Sequence, residues 1–137
     1  MMFVARTQAM LLALASLPAI FLPAGGALAE PVRTPVRTLV PDARPVMLAA
    51  LQSADGTAHG VLTGELADAI TKHFEATSPI FIDVSTERRY REAGCSRLKV
   101  LFWQEGVKLP NVAAPRKQTI EFGINYCATG LPPQSLL

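Results

Sequence analysis

The sequence predicts an α+β domain in which one amphipathic helix packs on a small, mainly antiparallel sheet stapled by one disulfide. Three observations carry this. A four-residue apolar period follows Leu62, two clean period-two runs lie at 97–103 and 118–126, and the only two cysteines, Cys95 and Cys127, bracket those runs. Helices place apolar side chains on one face every three to four residues, whereas strands alternate them.

The chain opens on a segment that reads as an export signal spanning 1–29. Arg6 precedes an apolar run from Ala9 to Leu22, and a small-residue tail ends in Ala27-Leu28-Ala29. Signal peptidase takes small side chains one and three residues before its cut, so cleavage is expected between Ala29 and Glu30. The run is short for a membrane anchor and is interrupted by Pro18. Lipid attachment would need a cysteine at the cut, where there is none. The expected location is therefore the periplasm or the medium, where cysteines oxidise.

Residues 30–45 repeat Pro-Val-Arg-Thr and carry prolines at 31, 35, 41 and 45. Proline lacks a backbone donor and biases the residue before it to extended geometry. The segment is expected to be a proline-rich arm, acting as a solvated spacer or as a docking strap, with the foldable body at 46–132 and a short tail at 133–137. A body of this size has a small core, so a covalent staple matters.

Within the body, 46–52 (VMLAALQ) is apolar nearly throughout and is read as a buried strand, followed by a turn at Asp55-Gly56. Leu62, Leu66, Ile70 and Phe74 then define the helix, with Thr63 as expected N-cap and Glu65 and Asp68 near its positive end. Ser78-Pro79 stops it. Ile80, Ile82 and Val84 alternate as a strand, and a charged stretch follows from Thr86 to Gly94. The last two strands, 97–103 and 118–126, flank a loop expected over Gln104 to Lys117, a length at which functional loops become common. If these strands pair antiparallel with Leu98 opposite Ile124, Val100 opposite Phe122 and Phe102 opposite Ile120, the same register sets Cys95 opposite Cys127. A slip of one residue would turn every apolar side chain to the wrong face.

No pattern of catalytic or cofactor-binding residues emerges. The cysteines lack the Cys-x-x-Cys spacing of redox or zinc sites, and an exported chain with two of them is expected to form a structural disulfide. His59 and His73 have no supporting ligand cluster, and solvated side chains are the expectation, so no metal site is expected. Glu65, Asp68 and Glu121 suit ordinary surface positions. With 13 Lys+Arg against 11 Asp+Glu the formal net charge is only +2, which does not suit a nucleic-acid binder. The densest cationic stretch, Arg88, Arg89 and Arg91 around Tyr90, is a wet strand end or a partner-binding patch. Trp103 either packs under the helix or stands as an exposed contact anchor beside it.

The segments from Ser78 to Gln104 and from Gln118 to Pro133, with the spacing Gly94-Cys95 … Asn125-Tyr126-Cys127, resemble small exported proteins encoded among conjugative-transfer genes of Gram-negative mobile elements. The resemblance implies a periplasmic setting and an accessory role beside a transfer apparatus, and brings no catalytic residues. The expected function is thus a non-enzymatic periplasmic interaction protein with a protein partner, no cofactor and no membrane anchor after cleavage. An exported ligand-binding or enzyme-inhibitor module using the 104–117 loop is the alternative.

Overall fold

Five strands form one sheet in sequence order: β1 (Thr38–Val40), β2 (Thr57–Leu62), β3 (Phe81–Arg89), β4 (Cys95–Val107) and β5 (Arg116–Cys127). Two helices join them, α1 (Arg44–Gln52) between β1 and β2, and α2 (Glu65–His73) between β2 and β3. The structure, a computed structural model, describes residues 25–137. The expected export signal lies outside the described residues save for 25–29, which are exposed and irregular. Contacts divide the chain between Val32 and Arg33, and the second unit holds all the regular structure described. The α+β class, the mainly antiparallel sheet and the disulfide agree with expectation.

The β4–β5 ladder has the register derived from side-chain alternation: Leu98–Ile124, Val100–Phe122 and Phe102–Ile120 are partners, and Cys95 faces Cys127 with Cα atoms 4.0 Å apart. Ile82, Val84, Leu98 and Val100 are wholly buried on one face, beneath Val46, Met47 and Ala50. The helix on the sheet is therefore α1, which the apolar run 46–52 had presented as a strand. Its buried positions follow helical spacing, but a run that is apolar from Val46 to Leu51 hides its own period. Pro45 is compatible with the first helical turn, where its missing N–H costs nothing, and Asp42 Oδ1 accepts the Arg44 N–H at 2.8 Å. Gly60 permits the close approach, since a Cβ there would lie 2.7 Å from Val46 Cγ2.

The proline-rich arm ends earlier than expected. Between Pro35 and Pro41 lies just enough donor-bearing backbone for β1, which pairs parallel to β2 and buries Val40. The folded unit thus takes in 38–45, which the proline spacing places in the arm. At its other end the tail is tied down: Glu92 Oε2 accepts the Gln134 N–H at 2.8 Å, and the Arg91 N–H donates to Leu137 O at 2.7 Å.

The predicted amphipathic helix exists as α2 but buries only Ala67, and Leu66 is 73% exposed. It meets the end of the sheet, where buried Gln104 donates to Thr71 Oγ1 (2.8 Å) and Ser78 O (2.9 Å). Gly64, not Thr63, occupies its N-cap. Thr63 instead directs both its N–H and Oγ1 to Val40 O, closing the end of β1. The expected long loop also shrinks to 108–115. The Thr77 N–H donates to Glu105 O and the Lys108 N–H to Phe74 O, so β4 extends past a bulge beyond Gln104.

Candidate functional site

On the sheet face opposite α1, donors from three segments converge on Asp83 of β3. Its Oδ1 accepts from Arg37 Nη1 at 2.8 Å and from His59 Nδ1 at 2.6 Å, and its Oδ2 accepts from Trp103 Nε1 at 2.6 Å. Because a carboxylate only accepts, His59 Nδ1 carries the proton shared with Asp83, and Nε2 has no hydrogen-bond partner among the described residues. Burial raises the Asp83 pKa, but the hydrogen bonds from His59, Arg37 and Trp103, with the Arg37 charge, outweigh it and hold the carboxyl below its ordinary value. Arg37 also donates to Gly60 O and lies 4.7 Å from the Phe81 ring centre. Phe81 packs on Trp103 at 4.2 Å between centroids, with Lys117 Nζ 4.0 Å from the indole.

This arrangement ties the chain ahead of β1 to β2, β3 and β4. Each Asp83 oxygen has a donor, and no hydroxyl or thiol among the described residues bonds to His59. Its chemistry is that of a charged, hydrogen-bonded clamp. Sequence reasoning missed it: His59 was expected to be solvated, and Asp83 was simply a polar position in an alternating strand. The available signal was that a lone acid interrupts Phe81–Val84 on the face shared with Trp103.

The proposed patch does not assemble around Trp103. That residue pairs with Phe81, whereas Arg88 pairs with Arg97, six residues back along β4, or roughly 20 Å at strand rise. The indole N–H is committed to Asp83, so Trp103 is a clamp residue. Arg88, Arg89 and Arg91 are all exposed at the other end, where Arg88 lies over Tyr90. Tyr90 OH and Arg97 both donate to Asn125 Oδ1, and Arg97 stands 3.7 Å from Glu87. His73 contacts Phe74 edge-on, away from His59. The one grouping of potential metal ligands among the described residues, Glu92 with Cys95 and Cys127, offers no thiolate because the sulfurs are bonded to each other.

What the fold leaves open lies along β5. This strand of 12 residues is the outer edge of the sheet, and α1 covers its Ile124–Tyr126 end but leaves Ile120 and Phe122 exposed. Ile120 is 69% exposed and Phe122 43%, on the apolar face, with Phe122 stacked 6.2 Å from Phe102. Towards the other end, Tyr126 forms a groove of about 430 Å³ with Pro41, Pro45 and Leu48. A long edge strand with exposed apolar side chains is a ready surface for protein contact. Comparisons with protein-family models, curated proteins and solved structures found no match.

Proposed function

We propose that this chain is an exported, non-enzymatic interaction protein, working in the periplasm as an accessory of a conjugative-transfer apparatus. The observation that supports the interaction reading is the apolar shelf of Ile120 and Phe122 on the uncovered edge of the sheet. Protein contact sites place apolar and aromatic groups at the centre with charged residues around them. Arg88, Arg89 and Arg91, exposed at the opposite end of β3 from Ile120, supply a separate cationic contact. The Ala27-Leu28-Ala29 boundary supports export, as does the disulfide, a bond that persists in oxidising compartments. The transfer setting rests on the family resemblance of the Gly94-Cys95 … Asn125-Tyr126-Cys127 spacing.

Crosslinking in cells that carry the transfer genes tests this reading. A photoreactive residue at Ile120 is expected to capture a component of the apparatus, and Phe122→Asp to abolish capture while leaving the fold intact. Reversing the three arginines should weaken it. Mature protein beginning at Met1 in the cytoplasm would refute export, and capture indifferent to both sets of substitutions would refute the surface.

A further inference from the structure

We infer that β5 pairs antiparallel with β5 of a second copy of this chain, about a two-fold axis at Phe122, joining the two five-stranded sheets edge to edge. The inference rests on the reading of β5 as the interaction surface and names one of its occupants. The backbone supplies the first argument. Cys95 O accepts from the Tyr90 N–H and the Cys127 N–H donates to Leu131 O, so the Cys95–Cys127 pair exchanges no ladder bonds. Hydrogen-bonded and non-hydrogen-bonded pairs alternate along an antiparallel ladder. Thr119, Glu121, Gly123 and Asn125 therefore turn their N–H and C=O groups outward, where they have no backbone partner among the described residues.

Symmetry and charge select the register. Residues paired across a ladder share a face, so a two-fold pairing must place a residue on the axis. Glu121 on the axis would set two carboxylates against each other. Phe122 on the axis instead matches Phe122 with itself and the exposed Ile120 with the partner's half-buried Ile124, so apolar side chains meet across the axis. On the opposite face Glu121 then stands across from Gly123 of the partner. A Cβ at Gly123 would lie 2.8 Å from Arg97 Cζ, so the guanidinium occupies the space that this glycine leaves. Glu121, which has no ion-pair partner among the described residues, thereby becomes a second carboxylate beside the partner's Arg97, which already stands 3.7 Å from its own Glu87, twice by symmetry. The pairing also sets the two apolar shelves side by side.

Disulfide trapping and light scattering on the purified full chain test the register. The on-axis pair is of the non-hydrogen-bonded type, with Cα atoms about 4.5 Å apart. Phe122→Cys is expected to link two copies on mild oxidation with the Cys95–Cys127 bond intact by mass, whereas Thr119→Cys and Glu121→Cys are not. The unmodified protein should be a dimer and Phe122→Asp a monomer. Glu121→Arg should raise the dimer Kd by about tenfold, with recovery on adding Arg97→Glu. Should that double variant fail to fold, Glu121→Gln must still weaken the dimer. A monomer at every concentration, or linkage through Thr119 in place of Phe122, would overturn the proposal. A monomer that still captures the transfer component would defeat the dimer alone, and a dimer that captures nothing would defeat the docking reading alone.

Discussion

Replacing Asp83 by alanine removes the acceptor on which Arg37, His59 and Trp103 converge. A hydrogen bond to a charged group contributes about 1.5–3 kcal/mol when well buried. Here the Arg37 side chain is only 15% exposed, while those of Asp83 and His59 are 26% and 31% exposed, so water recovers part of each loss. Relief of the Asp83 desolvation offsets some of the remainder. About 1 kcal/mol per donor is a reasonable discount, giving a loss of about 3 kcal/mol for Asp83→Ala. In a domain of this size that lowers Tm by about 12–24 °C. Asp83→Asn keeps one acceptor but turns an amide N–H towards a donor, and should lose roughly half as much. The sign of the pH dependence follows from the lowered pKa of the folded carboxyl. Its stabilisation is present above the ordinary aspartate pKa of about 3.9 and is lost as pH falls through the lower folded value. Parent and Asp83→Ala should thus differ at neutral pH and converge in acid. Urea unfolding followed by far-UV circular dichroism and by the fluorescence of Trp103, the only tryptophan, measures both effects. A neutral-pH loss under about 0.5 kcal/mol, the level of an ordinary surface substitution, would refute the clamp.

Three further outcomes test the packing. Replacing both Cys95 and Cys127 by alanine should cost about 3–4 kcal/mol in the chain-entropy model for a bridge that spans 32 residues of sequence, read as a lowered urea midpoint. Gly60→Ala should cost about 1–3 kcal/mol by overpacking against Val46, and adding Val46→Ala should return part of it by opening that space. Leu66→Glu should change stability by less than about 0.5 kcal/mol in thermal melts, because that leucine faces solvent, whereas Val46→Glu should prevent folding by burying an unpaired charge.

Alternation in 97–103 and 118–126, together with two cysteines, was enough to specify the β4–β5 register, because a period of two allows no one-residue slip when one face is buried. The existence of α2 was equally legible, since its polar and apolar residues separate at helical spacing. Its place in the fold was not. Amphipathic spacing marks a face that can be buried, but which helix covers the sheet depends on what else competes for it. Val46, Met47 and Ala50 of α1 occupy that position over Gly60, in a run too uniformly apolar to display any period. β1 was hidden because a three-residue parallel strand has no pattern of its own and exists only through Gly60, Val61 and Leu62 beside it. The Asp83 clamp was hidden for a related reason. Its members stand at 37, 59, 83 and 103, and only the sheet, which sets β2, β3 and β4 side by side with the chain ahead of β1, brings their donors within hydrogen-bond reach of one carboxylate.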